Sequence, residues 1–516
     1  MDLLQHTYQV VAERWVLLAT ALTFVFTAVI YPAAVRHLRV AAIPLAGSEY
    51  GSWEKRRQAY LNSSREIYNE GYRKVGFKNG VFRVTTSRDS PMVVLPTKYL
   101  AEVKKLPDSV INIYEAVNES FESKYTRLQV DVPIVPATIK SHLTPRLVRL
   151  NPTISEEARA ALAMEMPSAD DWTEVNINKT LMRIVAVVSG RVFVGPELCR
   201  NEAYIEAAIN YTVDVIQAQI AVQRIRPWLR PFLASRQPEV KRLAERMRVV
   251  QSFLKPVIDR RTKEMQDPGY ERPDDMLQWL LEGLDKFKDS GSQDLANTQM
   301  ILAFAAIHTT TLTATNAFYD LASSPEFADQ IRQEVLDVLA SNGGQFSSQA
   351  LQSMKMLDSA LKETLRLHPL GMGSMQRKVI KEFTLSDGQV IPAGVTIEFP
   401  AVAINSDADL YPDADRYDPL RFYNLRQKAR VAGSVEGAAT NQFVSISQNY
   451  LTFGYGRHAC PGRFFAANEI KMIVAHALLK YDFKLPEGTS ERYPNIEFAA
   501  TSVPDGSKTL LCRVRG

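Results

Sequence analysis

A single cysteine, set in a loop of glycines and cations directly before an apolar helical run, constrains this chain more than any other stretch. It is Cys460, in Phe453-Gly-Tyr-Gly-Arg-His-Ala-Cys460-Pro-Gly-Arg-Phe-Phe-Ala466. Proline suits the first position of a helix, and the apolar run continues through Phe464, Phe465, Ile470, Met472 and Ile473, so Cys460 is expected at or next to an N-cap. Free backbone N–H groups and the positive end of the helix dipole there favour a thiolate. Gly454, Gly456 and Gly462 allow close approach of a bulky flat partner, or positive φ. A soft anionic sulfur on a tight loop suits a metal; a buried structural thiol is the alternative that these residues leave open.

The chain has 516 residues, is 46% hydrophobic and 23% charged, and shows no repeat or convincing internal boundary. Mainly helix with a minor β-sheet region is expected. Helical patterns dominate 155–258 and recur at 297–323, 325–340 and about 354–367. Alternation at 81–86 and the run 92–95 suggest paired strands, 383–399 is strand-rich, and 425–449 reads as irregular. A net charge of +4 without a dense Lys/Arg stripe argues against nucleic acid. Three cysteines, Cys199, Cys460 and Cys512, are too few for a disulfide framework, which suits a reducing compartment.

Trp15 to Ala34 is uncharged and would be about 30 Å long as a helix. Arg36, His37, Arg39 and Lys55-Arg56-Arg57 follow it, which places the bulk of the chain in the cytosol. The expectation is a single-pass membrane anchor over 1–40, transmembrane at about 15–34, ahead of one large catalytic domain, 41–516. A cleaved signal peptide ending near Ala33-Ala34 is the rival. Four N-glycosylation patterns, at Asn62, Asn118, Asn178 and Asn210, read as chance matches in a cytosolic domain. Arg226-Pro-Trp228-Leu-Arg-Pro-Phe232 suits either a second membrane contact or ordinary helix packing.

Two further motifs carry chemistry. In Ile301-Leu-Ala-Phe-Ala305-Ala-Ile-His308-Thr309-Thr310-Thr311, consecutive threonines are expected to bend an apolar helix and open it locally. Glu363 and Arg366, three residues apart, share one helical face, a pattern that is usually a solvated pair.

The string around Cys460 resembles the haem-binding loop of the cytochrome P450 superfamily, Phe-x-x-Gly-x-Arg-x-Cys-x-Gly. Phe453, Gly456, Cys460 and Gly462 match, while His458 stands at the arginine position with Arg457 one residue earlier. His458 and Arg457 are therefore alternative contacts for a haem propionate. Residues 305–310 resemble the oxygen-binding helix, which gives Thr309 the role of the oxygen-activating threonine. His308 replaces the usual acid there; it either relays protons or points away to a neighbouring helix. Glu363 and Arg366 match the Glu-x-x-Arg element, and Arg421, in Tyr417-Asp-Pro-Leu-Arg421-Phe422, matches the element downstream. The resemblance implies that these three brace the haem loop and that Arg377 holds a propionate. The Trp-x-x-x-Arg pattern of another propionate-binding helix is not seen, since Trp172 is followed by Asn176, so no ligand is assigned there.

The resemblance further implies a cytochrome P450 fold with haem b on the Cys460 thiolate, whose electron donation favours O–O cleavage. It implies O2 as cosubstrate and electrons from NADPH through NADPH–cytochrome P450 reductase, with cytochrome b5 as a further donor. Exposed cations near Arg457 and Arg463 suit an acidic reductase or plain solvent. The implied location is the endoplasmic reticulum membrane, in contact with lipid. Residues 305–310 and 191–200 resemble the fungal group that includes ent-kaurene oxidases, which favours a terpenoid-like apolar substrate of specialised metabolism over an indole alkaloid or polyketide. A reductase-independent isomerase or dehydratase and a non-catalytic haem protein are the readings from other classes.

Overall fold

The computed structural model describes residues 14–24, 26–75, 80–88, 90–287 and 294–515. Eight helices position the site: α1 (Thr144–Glu165), α2 (Ile177–Phe193), α3 (Glu202–Arg224), α4 (Pro238–Glu264), α5 (Leu295–Ala322), α6 (Lys355–Leu367), α7 (Arg421–Val431) and α8 (Arg463–Lys480). Side-chain caps start three of them. Asn176 accepts from the Lys179 N–H, Asn201 from Ala203 and Tyr204, and Asp294 from Asn297. Pro238 opens α4 from its first turn, where the missing N–H costs nothing.

α5 is the axis of the molecule. It packs against α2, α3, α4, α6 and α8, so nearly every face of it is apolar and buried. α5 runs unbroken through Thr309–Thr311. Thr309, Thr313 and Thr315 each return a hydroxyl to the carbonyl four residues earlier, which keeps the polar atoms on the helix's own backbone.

A six-stranded sheet lies at the other end, with β1 (Leu45–Ala46), β2 (Phe82–Val84), β3 (Met92–Val94), β4 (Ile111–Asn112), β5 (Ser374–Val379) and β6 (Thr396–Phe399) in the order β1-β2-β3-β6-β5-β4. The paired strands expected near 81–95 are β2 and β3, antiparallel with Arg83 opposite Val93. Within 425–449, expected to be irregular, the last turns of α7 and a short helix, Val435–Thr440, appear.

The transmembrane helix expected at about 15–34 finds no support among the described residues. Residues 14–24 are helical, Phe26–Ile30 is a π-helical turn, and Tyr31–Ala42 is a helix carrying Arg36, His37 and Arg39. No helix among the described residues is long and apolar enough to cross a membrane. The π turn interrupts the regular hydrogen-bond ladder, and the helix beyond it is cationic. Trp15, Leu17, Leu22 and Phe24 of this segment are all exposed.

The helix that follows the cysteine loop buries a carboxyl. Glu469 of α8 accepts a hydrogen bond from the Ser189 hydroxyl of α2 (2.7 Å), and its other oxygen has no partner among the described residues. Burial pushes this carboxyl from 4.5 up to about 8. Between those values the folded protein keeps a proton that the unfolded chain releases, so the group's contribution to stability is lost as pH rises through that window. Glu469→Gln is expected to flatten that slope and to stabilise the protein at pH 8 by roughly 2–4 kcal/mol, measured by denaturant unfolding across pH 5–9.

Candidate active site

Cys460 sits on a closed loop. Its N–H donates to the Phe453 carbonyl (2.8 Å), and the Gly454 N–H donates to Leu451 (2.8 Å). Gly454 and Gly456 take φ of 74° and 73°, the left-handed region that a side chain disfavours. The helix begins later than the sequence suggests. Gly462 is the N-cap of α8, so Cys460 lies two residues ahead of it and Pro461 precedes the cap. The N–H groups of Gly462 and Arg463 still reach the sulfur. Burial outweighs them and the Arg463 charge, and pushes the Cys460 thiol up from its ordinary value. The N–H groups thus favour the thiolate as expected, against the larger opposing effect of burial.

Beside this loop, two guanidiniums and an imidazole gather near Asp108. Arg457 donates to Asp108 Oδ1 (2.6 Å) and to the Leu106 carbonyl (2.7 Å), and His458 Nε2 lies 3.0 Å from the same Oδ1. Arg377 of β5 is only 4% exposed, yet its guanidinium donates to the neighbouring Gln376 carbonyl (2.7 Å). Burial pushes this guanidinium down to about 10, with Asp108 opposing and Arg457 reinforcing the shift. Arg377, Arg457 and His458 line one cleft with Met375, Ile111 and Tyr455. A buried guanidinium without a carboxylate partner is costly unless an anion arrives.

On α5, Ala305 and Thr309 are exposed although the helix around them is buried, and their spacing of four puts them on one stripe. The Thr309 hydroxyl donates to the Ala305 carbonyl (2.8 Å). His308 turns the other way, its Nε2 lying 2.8 Å from the Ile209 carbonyl on α3. Burial pushes its imidazole down, so it is neutral near pH 7. Phe304 meets Phe121 and Tyr211 edge-on, with ring centroids 5.3 and 6.5 Å apart.

A sequence profile described as Cytochrome P450 matches residues 121–510. The chain belongs to the cytochrome P450 family. It is similar to cytochrome P450 monooxygenase ATR3 of Stachybotrys chlorohalonatus, at 43% identity over 82% of this chain and 89% of the relative. It is also similar to cytochrome P450 monooxygenase AN1598 of Emericella nidulans, at 36% identity over 87% and 82% of the two chains. Cytochrome P450 monooxygenase braC of Annulohypoxylon truncatum is 32% identical over 96% and 97%. This cytochrome P450 is accordingly a monooxygenase, an oxidoreductase of the same class as these fungal relatives.

Membership implies haem on a cysteine thiolate, with O2 as cosubstrate. The residues present fit that group. The glycine-rich loop offers the Cys460 sulfur, and Arg377 is a buried cation that makes no ion pair with a carboxylate among the described residues.

Glu363, Arg366 and Arg421 of this P450 come together in the interior. Glu363 is fully buried and accepts from Arg366 Nε (2.8 Å) and Nη2 (2.7 Å), from Arg421 Nε (3.0 Å) and from the Asp418 N–H (3.2 Å). Arg366 spends its remaining donors on the carbonyls of Asn405 and Ala414, both at 2.6 Å, and Arg421 reaches those of Pro412 and Asp413. Every charge is thus paired or hydrogen-bonded.

Sequence reasoning missed a second buried junction on the same helix. Asp358 accepts from Arg426 of α7, from Lys471 of α8 and from the Phe443 N–H. An aspartate and a lysine in helical runs read as solvated faces, and no spacing marks them as partners. Glu363→Gln is expected to leave two guanidiniums without a counter-charge and to destabilise the protein by about 3–5 kcal/mol, with loss of haem on purification. Denaturant unfolding and haem content check this.

Proposed function

We propose that this P450 oxidises an apolar small molecule, a terpenoid-like intermediate of fungal specialised metabolism. The observation that carries the apolar substrate is the exposed Ala305–Thr309 stripe on α5, which bears no charged side chain and adjoins Phe304, Phe121 and Tyr211. Support for the terpenoid class comes from the likeness of residues 305–310 and 191–200 to the fungal ent-kaurene oxidase group. In the overall reaction one oxygen atom enters a substrate C–H bond and the other leaves as water, consuming two electrons and two protons. The electrons come from NADPH through NADPH–cytochrome P450 reductase, with cytochrome b5 as a second donor.

Bound haem supplies oxygen activation, to which the thiolate contributes electron density. The chain's own residues hold and orient. Cys460 would ligate the iron, and Arg377 would pair with a propionate, with His458 and Arg457 alongside on Asp108. Thr309 Oγ1 donates its proton to Ala305 and keeps lone pairs that accept a hydrogen bond from water, orienting that water for proton delivery. His308 spends its Nε2 on Ile209, so we assign proton delivery to Thr309 alone.

The test is turnover of the full chain with reductase, NADPH and candidate terpenoids. Wild type is expected to give an oxygenated product only with reductase, and Cys460→Ala to lose the reduced–CO absorption characteristic of thiolate ligation. Thr309→Ala is expected to keep haem but release reducing equivalents as hydrogen peroxide. Product without reductase refutes monooxygenation, and product only from an indole or a polyketide refutes the terpenoid class.

Attachment to the endoplasmic reticulum membrane, with the catalytic domain in the cytosol, belongs to the same proposal. It is supported by exposed Trp15, Leu17, Leu22 and Phe24 and, on the short helices Pro227–Leu229 and Arg230–Leu233, by Trp228 and Phe232 at 67% and 68% exposure. Deletion of residues 1–30 is expected to shift the protein from the membrane pellet toward the supernatant, further with Trp228→Ser and Phe232→Ser. Unchanged partition of the triple change would remove both surfaces from membrane binding.

A further inference from the structure

Lys362 immediately precedes Glu363, takes no part in its ion pairs, and is 1% exposed. Its Nζ donates to the carbonyls of Gln442 (2.8 Å) and Thr440 (3.2 Å) and lies 4.0 Å from the Tyr450 ring centroid and 5.0 Å from that of Phe422. The Tyr450 hydroxyl donates back to the Lys362 carbonyl (3.3 Å). One ammonium thus grips both ends of the 440–450 segment. Between those ends lies Phe443, whose N–H donates to Asp358 (2.9 Å) and whose ring meets Phe453 edge-on with centroids 5.8 Å apart. The Phe453 carbonyl is the acceptor that closes the Cys460 loop.

The charges around this ammonium are unbalanced. Burial pushes Lys362 down to about 7; Asp358, one turn earlier, opposes the shift and Arg426 adds to it. A lysine buried this deeply with only carbonyls and ring faces as partners carries a desolvation cost that a solvated lysine avoids.

We infer that Lys362 is a positioning residue for the cysteine ligand, holding the 440–450 segment so that Phe443 keeps Phe453, and through it the Cys460 loop, in place. The inference rests on Cys460 as the iron ligand. It adds a further tether from α6 to those made by the Glu363–Arg366–Arg421 cluster and by Asp358. That tether acts on the loop's approach, whereas the arginines fasten 405–421.

Hydrogen exchange and absorption on the full-length haem-loaded protein test it, comparing wild type, Lys362→Met and Lys362→Gln. In Lys362→Met, amides of 440–462 are expected to exchange about tenfold faster, the order for losing one charge-assisted hydrogen bond. Amides of 355–367 should stay as protected as in wild type, and the thiolate-type reduced–CO signal should fall relative to total haem. Lys362→Gln, which keeps an N–H donor, should lie between the two. Unchanged exchange over 440–462, or acceleration confined to 355–367, overturns the inference. Should Lys362→Met not fold, Phe443→Leu serves: faster exchange at 452–462 supports the relay, and wild-type protection there overturns it. The exchange arm does not depend on which residue binds iron, and loss of the thiolate signal in Cys460→Ala tests that separately.

Discussion

The buried carboxylate of Glu363 is the constraint on which the proximal half of this cytochrome P450 depends. A carboxylate with no exposure is tolerable only when every lone pair is met, and here two guanidiniums and a backbone N–H meet it. Those guanidiniums bring their own unmet donors, which draw in the carbonyls of Asn405, Pro412, Asp413 and Ala414. One buried charge therefore dictates the path of a segment with little regular structure, and that segment leads toward Cys460. Asp358 and Lys362 repeat the device on the same helix with different partners.

The same accounting of buried charge distinguishes the site from its frame. Around Glu363 the charges balance. At Arg377 and Cys460 they do not: among the described residues Arg377 makes no ion pair with a carboxylate, and burial outweighs the Arg463 charge at the sulfur. The frame is satisfied by the polypeptide, whereas the site is complementary to a group carrying both a metal cation and carboxylates, as haem does. Along α5, Thr309, Thr313 and Thr315 turn their hydroxyls onto the helix's own backbone, with Thr309 on the exposed stripe.

Much of this was legible in advance because the relevant residues lie close together along the chain. The loop 453–462, the Glu363–Arg366 spacing and the strand pair near 81–95 are local patterns, and local backbone chemistry carries them. Two local expectations differed in detail. The cap of α8 falls at Gly462, and the threonine run leaves α5 unbroken. There propensity was overruled by how the backbone closed its hydrogen bonds within the packed domain.

By itself the sequence determined the mainly helical class, the identity of the cysteine loop and the set of charged residues available to brace it. Only the tertiary structure decided which charges meet. His308 faces α3, Asp108 gathers Arg457 and His458, and Lys362 is enclosed between Tyr450 and Phe422. Helical spacing states which residues share a face, but whether that face meets water, a carbonyl or an aromatic ring depends on segments far away in the chain. Burial then sets the protonation of each group, so the chemistry of Cys460, Arg377 and His308 is a property of the packed interior.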